Sequence, residues 1–251
     1  MMKNTERFSN RVDNYVKYRP HYPEAIISYL AEHAGLTSET VVADIGVGTG
    51  ISSLLFPEHG NQVIGVEPNK EMRLAAERQL HHHPQFTVVN GSAEHTTLPD
   101  ASVDLILAGQ AFHWFNRDAA RAEFRRIGRE GAKVVLIWNE RLTDSAFENA
   151  FEDLLKRYGV DYVEVDHRNI GPAQLASFFK NGQFEEQTFR NAQFFDYAGL
   201  KGRLLSSSYT PTEEHPLYLP MLNRLEEIFE KYNEQRIVKF NYTTKLYLGV
   251  V

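Results

Sequence analysis

Hydrophobic positions along the chain fall into short apolar runs separated by stretches of helical spacing, an alternation that predicts a layered α/β fold. The first run, Val41-Val42-Ala43-Asp44-Ile45, opens into glycines at positions 46, 48 and 50. A second, Val63-Ile64-Gly65-Val66, ends in Glu67, and a third is Phe86-Thr87-Val88-Val89. A fourth runs from Val103 to Ala108 and a fifth from Lys133 to Trp138. Ile26, Ile27, Leu30, Ala31 and Ala34 mark a helix that starts at Pro23-Glu24 and stops at Gly35. Ile51 to Phe56 reads as the first turns of a helix ended near Pro57 and Gly60. Met72, Ala75, Ala76 and Leu80 mark the inner face of a helix after Pro68-Asn69. Asn116 caps another helix, with Ala120, Phe124 and Ile127 inside and Gly131 closing it.

Beyond Arg141 the chain turns aromatic and helical. Two short helical patterns surround Gly159 and Gly171-Pro172, a strand pattern covers Phe184 to Phe195, and Leu222, Leu225, Ile228, Phe229 and Tyr232 make a long amphipathic helix. Tyr242 to Leu248 alternates as a strand should. Neither repeats nor low-complexity segments interrupt this order, so no solenoid or linker architecture enters.

At 251 residues and 42% hydrophobic content the chain can bury a sizeable core. Its formal net charge of −6, without a basic run, argues against a nucleic-acid partner. No stretch reaches the ~18 apolar residues that suggest a bilayer span, and the start shows no apolar leader, so no membrane partner and a cytoplasmic location are expected. There is no cysteine, which excludes disulfides, thiolate metal sites and cysteine nucleophiles. His81, His82 and His83 are adjacent on a helix end, pointing about 100° apart, and read as a solvated terminus rather than a ligand set. No metal is expected. Nothing in the pattern encodes an oligomeric state.

The candidate chemistry begins in the glycine loop. Glycine permits backbone angles that a Cβ forbids and lets a ligand lie against the main chain. Glu67, 17 residues past Gly50, stands at the tip of the adjacent strand, where a carboxylate accepts hydrogen bonds from both ribose hydroxyls. A dinucleotide fingerprint wants G-x-G-x-x-G facing a pyrophosphate, but here Ile51 occupies the place of the third glycine and no basic residue is near. The stretch instead resembles motif I of the class I S-adenosylmethionine (SAM)-dependent methyltransferases, with Asp44, Gly46, Gly48 and Gly50 in its D-x-G-x-G-x-G frame. Gly91-Ser92-Ala93-Glu94 and the following Leu98-Pro99-Asp100 resemble the family's adenine loop and its continuation.

Two segments resemble the trans-aconitate-type branch: residues 8–23, with Tyr15, Tyr18, Arg19, Pro20, Tyr22 and Pro23, and Gln110-Ala111-Phe112-His113-Trp114-Phe115 after the fourth strand. The resemblance implies a single domain over 1–251: a Rossmann-like, doubly wound α/β sheet of about seven strands, mostly parallel with an antiparallel last strand, and a helical cap. Within it, 1–35 form a lid and first helix, 36–140 the cofactor core, and 141–251 the acceptor-pocket helices and last strands. It implies SAM as cofactor and S-adenosylhomocysteine as product, held by Tyr15, Asp44, Gly46, Gly48, Gly50, Glu67, Pro68, Ser92, Ala93, Glu94 and Gln110. Tyr18 and Trp114 would then bind a small-molecule acceptor, with Arg19 and His113 as the catalytic pair. An ionised carboxylate acceptor needs no base and Arg19 would orient it, whereas a hydroxyl, amine or carbon acid makes His113 the base. Each residue also has a plainer reading: Arg19 pairing with a surface carboxylate, Tyr15 and Tyr18 packing the first helix, Glu94 capping its turn, Trp114 packing the core, and His113 making a structural hydrogen bond. A SAM-binding regulatory protein and an NAD-dependent oxidoreductase are the competing functions.

Overall fold

All five apolar runs become parallel strands: β1 (Val42–Ile45), β2 (Val63–Val66), β3 (Phe86–Val89), β4 (Val103–Gly109) and β5 (Gly128–Arg141). A computed structural model describes residues 12–160, 162 and 170–251. Two further strands, β6 (Phe184–Phe195) and β7 (Val238–Gly249), complete a seven-stranded sheet of order β3-β2-β1-β4-β5-β7-β6. β7 runs antiparallel to both β5 and β6 and is inserted between them. Strand order reverses between β1 and β4, which opens a crevice at their carboxyl ends.

Alternating side chains of β5 serve two apolar layers: Val134, Leu136 and Trp138 join Phe112, Phe124 and Phe178 on one face. Val135 and Ile137 join Ile26, Leu30 and Phe56 on the other. Helix α1 (Val12–Tyr18) lies against α3 (Lys70–Leu80) and α7 (Tyr197–Leu205). Between them in the chain come α2 (Ala25–Ala34), α4 (Arg117–Ile127), α5 (Ala146–Tyr158) and α6 (Pro172–Phe178). The last helix, α8 (Tyr218–Tyr232), packs on α5 and shares a third apolar cluster with α7 and β7. Among the described residues, no helix is long and apolar enough to cross a membrane and no cluster of three metal-ligating side chains occurs. The histidine triplet follows the end of α3, as a solvated terminus should.

Three local features differ from the sequence reading. Ile51 to Phe56 does not start an α-helix; two 3₁₀ turns, Ser53–Leu55 and Pro57–His59, replace it. The Asp44 carboxylate takes the hydroxyls of Ser52 and Ser53, each at 2.7 Å, and Pro57 has no N–H to continue a helical ladder. Gly131 does not close α4, which ends at Ile127; it sits inside the long β5 at φ +80, where pairing with β4 shifts register. Helix α7 stands in a stretch to which the sequence pattern assigns no element, started by Asp196, whose carboxylate accepts from Gly199 N at 2.7 Å.

Candidate active site

At the crevice the three glycines answer different demands. Gly46 has φ +71, and a Cβ there would stand 2.7 Å from the Ala111 methyl. Gly50 has φ +92, and its Cβ would meet Leu80 at 2.6 Å, so this glycine lets α3 close on the loop. Gly48 has φ +57, lines the cavity, and would bring a Cβ no nearer than 4.0 Å to the Gly46 carbonyl oxygen.

Glu67 joins the loop to α3. Its Oε2 accepts from Gly48 N at 3.0 Å and its Oε1 from Asn69 N at 2.9 Å, while Asn69 caps α3 by accepting from Met72 N at 2.9 Å. Burial pushes the Glu67 carboxyl above its usual range, against the two backbone donors and Arg73, which pull it down. Each oxygen keeps lone-pair capacity for a further hydroxyl. Asp44 is buried beneath the loop, and burial, opposed by the two serines, raises its pKa to about 6. Its Oδ1 has no partner among the described residues, and neither has the buried Thr49 Oγ1 on the cavity wall.

The cavity measures about 250 Å³. Of the residues singled out in the sequence, Arg19, Gly46, Gly48, Glu67, Pro68, Ser92, Ala93, Glu94, Gln110 and Trp114 line it. Asp44 and Gly50 lie behind the loop; Tyr18 and His113 also stand off the wall, and the side chain of Tyr15 lies outside the described residues. Tyr18 packs edge-on against Phe195 at 6.5 Å, and the His113 ring tilts against Trp114 at 4.7 Å. Glu94 faces the cavity and also accepts from Asn116 N at 2.8 Å, ahead of α4. Ser92 and His95 exchange backbone hydrogen bonds of 3.0 and 3.2 Å, which fixes this turn. Behind it the Thr96 N–H and hydroxyl donate to Glu123, and the Arg126 guanidinium holds that carboxyl down to about 2.

Gln110 adopts φ +56, rare for a side-chain-bearing residue. Its N–H donates to Ile137 O at 2.9 Å and its Nε2 to Asn139 O at 3.1 Å, so β5 holds it in this conformation. Asn139 is itself a hub: its Nδ2 donates to Pro20 O at 3.2 Å and His21 O at 3.3 Å, while its Oδ1 accepts from Thr244 and Asn191. The segment before α2 is thereby tied over the cavity.

Sequence reasoning did not assign Tyr22, Thr49, Met72, Asn139 or Arg203, all on the wall. Tyr22 stood within the quoted N-terminal stretch and Asn139 at a strand end, which were usable signals. Arg203 had none, since its helix was not recognised.

The cavity offers a carboxylate at the tip of β2, an orphaned Thr49 hydroxyl, a glycine cradle and apolar walls from Val47, Met72 and Ala93. These fit a nucleoside carrying a cationic tail. They fit a pyrophosphate poorly, because the Gly48 N–H is already taken by Glu67. Comparisons with known proteins agree with this fit. The methyltransferase domain family matches residues 43–136. An uncharacterized methyltransferase of Mycobacterium tuberculosis is 36% identical over 134 residues, 53% of this chain and 52% of that protein. The chain thus spans about half the length of the first curated relatives it matches. An uncharacterized methyltransferase of Schizosaccharomyces pombe is 24% identical over 245 residues, 96% of this chain and 95% of that protein. A solved structure from Anaeromyxobacter dehalogenans, described as a candidate type II methyltransferase, shares the fold with a TM-score of 0.68, at 24% identity over 93% of this chain and 98% of that one. Residues 43–136, which carry motif I and its spaced acid, are thus similar in sequence to the methyltransferase domain family, and the seven-stranded sheet shares its fold with a solved structure of that description.

Proposed function

We propose that the chain transfers the methyl group of SAM to a small-molecule acceptor, with a carboxylate as the acceptor class that fits its cavity best. One observation carries this reading: a single cavity at the switch point is lined both by Glu67 at the tip of β2 and by the Arg19–Pro20 segment ahead of α2. When bound, SAM supplies a methyl already activated by its sulfonium, so that an acceptor oxygen forms the new C–O bond as the C–S bond breaks and sulfur keeps the electron pair. The protein's work is then to hold, align and exclude water.

In this reading Glu67 takes the ribose hydroxyls, and Ser92, Ala93 and Glu94 face the adenine. Gly46 and Gly48 let the methionyl part approach the main chain, while Asp44 and Gly50 shape the loop from behind. Pro68 continues the ribose wall and Gln110 borders the methionyl end. Trp114 and Arg19 stand on the acceptor side. Tyr15 and Tyr18 belong to the cover. A carboxylate acceptor is ionised near neutral pH, so no base is needed and His113 serves to position Trp114. The chain acts as a single domain, with 1–35 as cover, 36–140 as cofactor core and 141–251 as acceptor side. A net charge of −6 favours a small molecule over nucleic acid as the acceptor.

Calorimetric titration of SAM and S-adenosylhomocysteine into the wild type and Glu67→Ala, with NADH as control, tests the cofactor half. Binding that weakens at least tenfold in Glu67→Ala is expected. Mass-spectrometric detection of methyl esters from a panel of small carboxylic acids tests the rest. A folded protein that binds NADH and neither sulfur compound would overturn the proposal.

A further inference from the structure

The cavity is electrically divided. Glu67 and Glu94 line it where β2 and β3 end, whereas Arg19 and Arg203 line it on the β5–β7 side of the sheet. Arg203, in the last turn of α7, is only 5% exposed. Its Nε donates to Tyr242 Oη at 3.3 Å and a terminal nitrogen to Ser207 Oγ at 3.3 Å, both neutral hydroxyls. Among the described residues no carboxylate stands within ion-pair distance of it. The buried Arg141 makes the contrast, since it pairs with Glu152 and also donates to Tyr162.

A buried cation without a counter-charge is costly, and the carbonyl end of α7 offsets only part of that cost. Arg19 arrives at the same helix end, donating to Ser206 O at 3.0 Å. Tyr209 registers the combined field. Loss of solvent pushes its phenol up, yet Arg141, Arg203 and Arg19 together hold it below its ordinary value. Arg203 is also linked to the cover: Tyr242 Oη donates to Gln193 Oε1 at 2.9 Å, and Gln193 Nε2 donates to Tyr18 O at 3.2 Å.

We propose that Arg203, joined by Arg19 from the covering segment, binds a carboxylate of the acceptor at the end of the cavity opposite Glu67. This rests on the methyltransferase reading and deepens it, since it makes anion recognition rather than shape the basis of acceptor choice. A guanidinium presents a planar fork that matches a carboxylate, and the missing counter-charge is the one the acceptor would bring.

The test uses protein loaded with S-adenosylhomocysteine, titrated with succinate, glutarate and benzoate and with the corresponding amides. At least one acid is expected to bind tenfold or more tightly than its amide. Arg203→Met should erase that preference while leaving S-adenosylhomocysteine affinity within twofold, and Arg203→Lys should recover part of it. A purely structural Arg203 would instead lower thermal stability and cofactor affinity together and leave the acid preference intact. Amides binding as well as acids, no acid binding at all, or an unchanged preference in Arg203→Met would each overturn the proposal. If Arg203→Met does not fold, the wild-type acid–amide comparison and Arg203→Lys decide. If S-adenosylhomocysteine itself fails to bind, the cofactor reading falls, and the same titrations on ligand-free protein still decide the anion site.

Discussion

The Asn139 amide donates to the Pro20 carbonyl at 3.2 Å across 119 residues of chain, joining the carboxyl end of β5 to the segment that covers the cavity. The same side chain binds His21 O and accepts from Thr244 and Asn191, so one buried amide uses both its donor and its acceptor ends. Asn139→Ala would strand those partners, and a loss of about 2–3 kcal/mol is expected by chemical denaturation, together with weaker SAM binding as the cover loosens. Asn139→Asp should be at least as harmful, because a carboxylate cannot donate to the two carbonyls. Wild-type SAM affinity in a folded Asn139→Ala would show that the cover is held by other contacts.

The glycine loop separates stability from binding. Gly48→Ala meets nothing nearer than the Gly46 carbonyl oxygen at 4.0 Å but must adopt φ +57, so a stability loss of about 1 kcal/mol is expected, with SAM affinity reduced at least tenfold because the residue lines the cavity. Gly50→Ala must adopt φ +92 and displace Leu80, so it should lose about 2–3 kcal/mol instead. Denaturation and calorimetry on both variants give the two numbers. Equal stability losses would mean that Leu80 and α3 yield without cost.

The contact between α1 and α7 can be probed at Gly202. A Cβ there would overlap the Tyr18 ring, so Tyr18 lies directly on the backbone of α7. Gly202→Ala should drive Tyr18 away and weaken the Gln193–Tyr18 hydrogen bond beside it. We expect faster proteolysis of the N-terminal segment and a raised KM for the acceptor, with thermal stability lowered by a few degrees. A variant with wild-type proteolysis would show that Tyr18 can re-seat without opening the cover.

The parts of the fold that sequence reasoning reached are those written in local order. Strands β1 to β5, the helix faces of α2 to α4 and the spacing from Gly50 to Glu67 each depend on neighbours within a few turns. The same reasoning missed the 3₁₀ turns because two serines answer to Asp44, eight and nine residues earlier. It missed α7 because that helix carries Gly199 and Gly202, which weaken any helical pattern and are needed for close packing against Phe195 and Tyr18. Arg203 therefore stayed invisible, and Asn139 gains its meaning only when β6 and β7 bring Asn191 and Thr244 to it. The glycine loop and its spaced acid are local in sequence, whereas the β5–β7 side of the cavity is assembled from long-range pairing.

Asp44 predicts a pH dependence of definite sign. Its folded pKa is raised to about 6, chiefly by burial. An unfolded aspartate titrates near 3.9. The folded state therefore binds the proton more tightly, and this group's contribution to stability is greatest below pH ~4, declines as pH rises, and levels off above pH ~6. The span corresponds to about 3 kcal/mol. Glu67, also raised by burial, adds to the decline in the same sense. Asp44→Asn keeps an oxygen to accept from Ser52 or Ser53 and removes the titration. Denaturation of both proteins between pH 4 and 7.5 should show Asp44→Asn gaining on the wild type as pH rises, with the difference flat above pH ~6. Parallel profiles would mean that Asp44 is ionised throughout, compensated at its unpartnered Oδ1 by a donor such as bound water, and the loop would then rest on a charge rather than on a shared proton.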